Sequence, residues 1–154
     1  MKLIAQNKKS QYNYFFELKI EVGIVLTGSE IKSIRNNGIN IDNSYIAIQG
    51  YDVLLYHSHI KEYFFSSKFN HSPERIRNLL LHKKEIRNLS GKVNVKGYSL
   101  IPISVYFNNK NLVKVEIGLA KGKKLFDKRN IIKQRDWERE QNKLFKEKMR
   151  KENE

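Results

Sequence analysis

The pattern of apolar residues changes sharply at Gly122. Before it, short runs rich in β-branched and aromatic residues alternate with turn-forming residues, whereas after it apolar residues are sparse and neither Gly nor Pro occurs. Residues 121–154 carry 13 basic and seven acidic side chains. So few apolar side chains cannot offset the entropy lost on folding. We therefore predict a folded domain over residues 1–122 and a basic tail over residues 123–154, disordered when free and helical when bound.

The folded part is predicted to consist mainly of strands. Val113, Val115, Ile117 and Leu119 alternate with more polar or smaller residues, which is the period of a strand with one buried face. The other predicted strands, chosen for their β-branched and aromatic content, span residues 12–26 with a break at Gly23, 44–49, 53–60 and 98–107. Turn-forming residues between neighbouring runs indicate antiparallel hairpins.

Two helices are predicted between these strands. Thr27 and Glu30 have the spacing of a capping box, and Gly38 is placed to end the helix that follows. A second helix is predicted to follow Pro73 and to end before Gly91. Five or six short strands with two helices predict a mainly β fold (α+β), a small closed antiparallel barrel that is OB-like with flanking helices. A β-sandwich is the alternative, because periodicity does not reveal closure.

The charge of the chain favours an anionic partner. Thirty Lys and Arg against 16 Asp and Glu give a net charge of +14, which suits nucleic acid through phosphate neutralisation. The alternative is a merely well-solvated basic protein. The absence of cysteine excludes disulfides, Cys-ligated metals and thiol nucleophiles. No apolar run approaches the roughly 18 residues of a membrane span, and the first residues lack a signal-peptide pattern. We therefore expect a cytoplasmic protein with no membrane partner.

Few residues suggest catalysis. His57 and His59, two apart on a predicted strand, would share a face and could ligate a metal, but neither a third ligand nor a carboxylate cluster is indicated. The run 118–124 resembles a phosphate loop, yet Lys124 stands where Ser or Thr is required. We therefore predict no enzymatic activity, cofactor or metal. A metal-assisted nuclease that uses the two histidines is the catalytic alternative.

A second group of cations surrounds a leucine run. Arg75 and Arg77 precede Leu79, Leu80 and Leu81, and lysines follow. On the predicted second helix the leucines would be core residues. The flanking cations would either be solvated or contact phosphate.

Several blocks of the sequence together resemble a known family. Residues 21–35 match the pattern E-x-G-I-x-L-x-G-x-E-[IV]-K-S-[IL]-R, which is the signature of the bacterial SsrA-binding protein, small protein B. The resemblance continues in order through residues 75–86, 114–124 and 127–129. Asn78 departs from the pattern, since a Lys is usual there.

The resemblance implies an OB-type barrel that binds the tRNA-like domain of transfer-messenger RNA (tmRNA, SsrA RNA). It implies delivery of that RNA to stalled ribosomes for rescue and nascent-peptide tagging, the process called trans-translation. The tail would become helical in the mRNA channel near the small-subunit decoding centre. The protein would act as a non-catalytic monomer. The alternative function is that of an OB-type ribosomal or initiation-like protein, whose partner would be rRNA.

The resemblance also implies site residues. The expected RNA-binding residues are Asn7, Lys8, Glu21, Lys32, Ser33, Arg35, Asn40, Leu80, His82 and Lys83. The expected ribosome-binding residues of the tail are Lys123, Lys124, Asp127, Lys128, Arg129, Leu144 and Phe145.

Overall fold

The computed structural model describes residues 1–66, 68–95, 97–123 and 125–152. The chain divides after Gly122 into two units. In chain order the elements are β1 (Lys2–Gln6), α1 (Lys8–Asn13), β2 (Tyr14–Ile24), α2 (Gly28–Arg35), β3 (Ile39–Asn40), β4 (Tyr45–Gln49), β5 (Asp52–Tyr56), β6 (His59–Ile60), β7 (Arg77–Leu80), α3 (Lys83–Val93), β8 (Tyr98–Phe107), β9 (Val113–Gly122) and α4 (Leu125–Glu152).

Seven of the strands form one antiparallel sheet that curls into a ring. Its order is β1-β8-β4-β5-β7-β2-β9, and β8 also pairs with β9. One register pair, Ile46 opposite Leu100, joins β4 to β8. The sheet is therefore a ring-like antiparallel arrangement rather than a strict barrel. The prediction of a mainly β, OB-like fold with flanking helices is confirmed, with closure less complete than expected.

The interior of the ring contains the apolar faces of the strands. The predicted alternation in β9 is confirmed, because Val113, Val115, Ile117 and Leu119 are all buried. Val22, Val53, Leu55 and Leu100 from other strands join the same core, together with Ile34 of α2 and Leu89 of α3. In β7 and in the first half of β9 the alternate residues are at least partly exposed, and a binding surface can form there.

The first predicted helix is confirmed as α2. The Thr27 N–H donates a 2.8 Å hydrogen bond to Oε2 of Glu30, as the capping box requires. After the helix, Asn37 lies in the left-handed region with φ of 57°. The Gly38 N–H then donates to the Ser33 carbonyl at 2.9 Å, which ends the helix.

The second predicted helix is wrong in its first half. Residues 77–80 form strand β7, which pairs with both β5 and β2 and is alternately buried and exposed. Helix α3 begins only at Lys83 and continues past Gly91 to Val93. The apolar spacing around Leu79 fits either period, and the pairing of β7 on both edges decides in favour of the strand.

Two predicted strands have different limits in the structure. Tyr12 belongs to α1, and β2 continues through Gly23 without a break, because Gly23 pairs with Lys114 on one side and Leu80 on the other. The run 53–60 is split into β5 and β6. His57 between them has φ of 55°, which a continuing strand does not allow.

The second unit contains a single helix, α4, whose described side chains are almost all exposed. Disorder of this segment in the free protein stays a prediction. None of the helices in the described residues is long and apolar enough to cross a membrane.

Candidate nucleic-acid interface

A row of outward positions crosses five neighbouring strands. Leu3 lies opposite Tyr106, Tyr106 opposite Lys114, Lys114 opposite Gly23, and Gly23 opposite Leu80. The residues on either side of Tyr106 and of Lys114 belong to the buried core, as do Val22 and Leu79. Leu80 is 59% exposed although it is a large apolar residue. The row therefore places a lysine, a gap and a projecting leucine next to one another on the outer face of the sheet.

Glu21 lies two residues before Gly23 and shares its face of β2. The Tyr106 hydroxyl donates a hydrogen bond to Oε2 of Glu21, and Nζ of Lys114 lies 3.9 Å from Oε1. Burial, the bond to Glu21 and the charge of that carboxylate raise the pKa of Tyr106 to about 12, so the hydroxyl remains a donor. Half of the Glu21 side chain is exposed. Because a carboxylate offers about four acceptor positions, Glu21 can still accept bonds from a ligand.

Gly23 opens the surface beside Leu80. A Cβ at position 23 would lie 3.3 Å from Cβ and Cδ1 of Leu80, so glycine leaves room for that side chain. Two grooves of about 460 and 270 Å³ lie beside this point, and Gly23, Leu80 and Lys114 line both of them. Leu80 is thus a ridge between two grooves that have a cation in their shared wall.

His82 lines the larger groove and immediately precedes α3. Its backbone N–H donates a 2.8 Å bond to Oε2 of Glu85, which fixes the start of the helix and leaves the imidazole exposed. Lys83 follows, with Nζ 5.7 Å from the ring centroid of Tyr51, another groove residue. The predicted residues Glu21, Leu80, His82 and Lys83 therefore lie on or beside one surface.

Four other predicted RNA-binding residues are exposed elsewhere on the folded unit. Nζ of Lys32 lies 5.5 Å from the ring centroid of Tyr63, and Arg35 lines a separate groove with residues 107–109. Asn40 is exposed, and its Oδ1 accepts a bond from the Asp42 N–H. Lys8 is exposed at the start of α1.

Asn7 and Ser33, the other two predicted RNA-binding residues, are buried in the folded unit. Asn7 is 2% exposed; its Oδ1 accepts from the Ser10 N–H, and its Nδ2 donates to the Ile41 carbonyl. Ser33 is 4% exposed and packs at the close approach of Gly38. The Asn7 side chain therefore connects the start of α1 to the segment at Ile41.

The cations before the leucine run have a different role from either predicted one. The side chain of Arg77 is 0% exposed; its Nε donates to Oε1 of Glu30 at 2.9 Å, and its Nη1 donates to the Ser58 carbonyl at 2.7 Å. Arg75 donates to both Glu30 oxygens. We call these three residues, Glu30, Arg75 and Arg77, the internal ion cluster. It ties α2 to β7 and so positions the strand that carries Leu80.

The charge of Glu30 depends on this cluster. Burial by itself would raise the pKa of Glu30, but hydrogen bonds from Arg75 and the Thr27 N–H, with the charge of Arg77, lower it to about 2. Glu30 is therefore a buried anion at neutral pH whose charge two arginines compensate.

The premise of a histidine metal site is wrong. His57 lies between strands in the left-handed region, whereas His59 is in β6, so the two do not share a strand face. Among the residues that the structure describes, no group of three His, Asp or Glu side chains is arranged to hold a metal.

The predicted tail residues lie in or just before α4. Arg129, Leu144 and Phe145 are exposed on the helix, and Lys123 precedes it. Asp127 and Lys128 belong to the helix, but their side chains are outside the description, as is the whole of Lys124.

Lys114 and Tyr106 were missing from the predicted site. Lys114 contacts Glu21 and lines both grooves, and Tyr106 holds Glu21 in place. The alternation of residues 113–119 already placed Lys114 on the solvent face. Which strand lies beside it is a tertiary fact that the alternation does not contain.

Comparison with known proteins gives a consistent result. The model of the family described as SmpB protein matches residues 4–147. The chain is 53% identical to the SsrA-binding proteins of Rickettsia canadensis and Rickettsia felis over 147 residues, which is 96% of this chain and 97% of theirs. It is 52% identical, with the same coverage, to the SsrA-binding protein of Rickettsia bellii.

A solved structure is also similar. A chain from the work described as "tmRNA-SmpB: a journey to the center of the bacterial ribosome" superposes with a TM-score of 0.66 and 38% identity. The similarity covers 78% of this chain and 84% of that one.

Proposed function

The chain belongs to the SmpB protein family, and from this premise we propose that it binds SsrA RNA (tmRNA) and takes part in trans-translation on the ribosome. The single observation that carries the proposal is the continuous similarity to SsrA-binding proteins over 96% of the chain. The outer face around Leu80 provides cations and an exposed apolar side chain that can contact RNA.

The chemistry of that face suits folded RNA. Lys114 in the groove wall and Lys83 beside Tyr51 can contact phosphates, and an exposed apolar ridge such as Leu80 can pack against a sugar or an unstacked base. Glu21 accepts hydrogen bonds, so it can recognise the amino groups of bases or the 2′-hydroxyl of a ribose. Contacts to phosphates alone could not distinguish one base from another or RNA from DNA. We propose that this face binds the tRNA-like domain of the RNA.

We propose that the two units of the chain have different binding partners. The folded unit binds the RNA, and residues 123–154 engage the ribosome, at the small-subunit decoding centre and in the mRNA channel. Exposed Leu144 and Phe145 suit this role, because two neighbouring apolar side chains exposed on a helix mark a surface that binds a partner. The protein delivers the RNA to stalled ribosomes as a cytoplasmic monomer. We propose no catalytic step for it, since peptide transfer belongs to the ribosome.

The RNA that is recovered when the full chain is purified from its own cells tests this proposal. We expect one dominant RNA that carries a tRNA-like end. Bulk rRNA would instead indicate an initiation-like rRNA-binding protein, and degradation of RNA that stops with EDTA would indicate a nuclease.

A matched pair of variants connects that result to the site. Leu80→Ala removes the ridge between the grooves, whereas Ile76→Ala removes an apolar side chain of comparable exposure that lines neither groove. We expect Leu80→Ala to lower the yield of the RNA and Ile76→Ala to leave it unchanged. Equal yields would contradict the assignment of the RNA to this face.

A further inference from the structure

A second exposed surface lies in the loop between β6 and β7, which the site around Leu80 does not include. We call residues 61–70 the aromatic loop; Ser67 is not described. Phe64, Phe65 and Phe69 are 89%, 80% and 89% exposed. The ring centroids of Phe64 and Phe65 lie 5.2 Å apart in an edge-to-face arrangement. Two exposed phenylalanines in contact, with a third exposed one in the same loop, present apolar surface of the kind that marks an interaction site.

The base of the aromatic loop is held in place by polar contacts. Asn70 accepts a bond from the Tyr63 N–H at 3.1 Å and donates one to the Tyr63 carbonyl at 2.9 Å. His71 is buried, with Nδ1 2.9 Å from Oγ of Ser29 and Nε2 3.0 Å from the Ile60 carbonyl oxygen. The phenylalanines therefore project from an anchored base, which lowers the entropy cost of binding.

The charges around the aromatic rings of the loop indicate which kind of partner it binds. Nζ of Lys32 lies 5.5 Å from the ring centroid of Tyr63, and Lys61 and Lys68 are exposed within the loop. Glu62 is the single acidic residue of the loop sequence. Flat rings beside cations match an unpaired nucleotide, whose base has a π face and whose phosphate is negative. A protein partner would need an apolar pocket but no such excess of cations.

The aromatic loop also adjoins the site around Leu80 through α2. Ile31 of α2 lines the smaller groove together with Leu80, and the next residue, Lys32, contacts Tyr63 of the loop. An RNA seated on the grooves therefore has α2 and then the aromatic loop within reach.

We propose that Phe64 and Phe65 stack on unpaired bases of the SsrA RNA that the site around Leu80 binds. This inference rests on the proposed function. Stacking does not depend on base identity, so the loop contributes affinity and orientation rather than sequence selectivity.

The test is the dissociation constant of the full chain for full-length SsrA RNA, with Phe64→Leu and Phe65→Leu combined. Leucine preserves apolar character but removes the π face. We expect the constant to rise about fivefold to 100-fold. The double variant Phe64→Tyr, Phe65→Tyr keeps both rings and should bind within twofold of wild type. Phe15→Leu, which alters another exposed phenylalanine, is the matched control and should also bind normally.

The salt dependence separates stacking from charge. The slope of log affinity against log salt should be the same in the leucine variant as in wild type, whereas Lys61→Ala should lower it by about one. Melting temperatures should not move, because the altered rings are exposed.

Three outcomes would overturn the proposal. Equal weakening by the leucine and tyrosine variants would exclude stacking. Normal RNA binding by the leucine variant, with weakened binding by Leu80→Ala, would overturn the stacking proposal alone. In that case, loss of peptide tagging would indicate that the loop binds a protein. Failure of wild type to bind the RNA would overturn the proposed function as well.

Discussion

Replacement of Glu30 by Gln should destabilise the folded unit strongly. The change removes the negative charge that compensates Arg77, whose side chain is 0% exposed. An uncompensated buried charge of this kind costs about 3–5 kcal/mol. The lowering of the Glu30 pKa from 4.5 to about 2, which arises in part from the same arginines, corresponds to about 3 kcal/mol. For a domain of this size, the melting temperature should fall by roughly 10–20 °C.

The same cluster predicts a pH dependence. Glu30 has a lower pKa in the folded state than in the unfolded state, so its contribution to stability is present above the unfolded value of 4.5. That contribution should be lost as the pH falls from about 5 to about 2. Other carboxylates titrate in this window too, so the informative quantity is the difference in unfolding free energy between wild type and Glu30→Gln. The difference should shrink as the solution is acidified.

Urea unfolding at several pH values, followed by circular dichroism, measures this difference. Glu17→Gln is the matched control, because Glu17 forms an exposed ion pair with Lys92 and its replacement should leave the melting temperature within about 2 °C. The reasoning is refuted if Glu30→Gln melts like wild type at neutral pH, or if the difference between them does not depend on pH.

Three further predictions concern RNA and the tail. The affinity for SsrA RNA should fall steeply with salt, with a log–log slope of roughly one ion per phosphate contact, and a flat response would exclude phosphate-dominated binding. Glu21→Gln and His82→Ala should each weaken RNA binding by about 1–3 kcal/mol without a change in melting temperature, and a change in stability alone would make the residue structural. A chain that ends at Gly122 should bind the RNA but fail in a reconstituted tagging assay, as should the double change Leu144→Asp, Phe145→Asp, whereas normal tagging would make the tail a solubilising extension.

Local signals predicted the parts of the fold that depend on neighbouring residues. The alternation in residues 113–119 is sufficient for β9, because a half-buried strand needs that period. The Thr27–Glu30 capping box is sufficient for the start of α2, since both hydrogen-bonding groups lie within one turn.

The misassigned elements depend on distant partners. Leu79 and Leu80 fit either a helix or a strand, and pairing with β5 and β2 makes them part of a strand. Arg77 was predicted to be solvated or to contact phosphate, and either role would place it on the surface, where most arginines lie. Its partner Glu30 lies 47 residues earlier, and nothing in the local sequence indicates that the two meet in the interior.

The candidate site shows the same limit. The family pattern indicated Glu21, Leu80 and His82, and the structure places them around the two grooves beside Gly23. The family pattern could not distinguish residues that face a ligand from residues that hold the chain in place. Asn7 proved to be buried, and Lys114 proved to line both grooves. Exposure and register decide this distinction, and both are properties of the folded chain.

The most direct test of the central claim is a binding titration of the full chain with the isolated tRNA-like domain of SsrA RNA in the presence of excess elongator tRNA. We predict saturable one-to-one binding that the competitor does not displace, and at least fivefold weaker binding by Leu80→Ala than by Ile76→Ala. Displacement by the excess elongator tRNA, or identical curves for the two variants, would contradict the assignment of specific SsrA RNA binding to the outer face around Leu80.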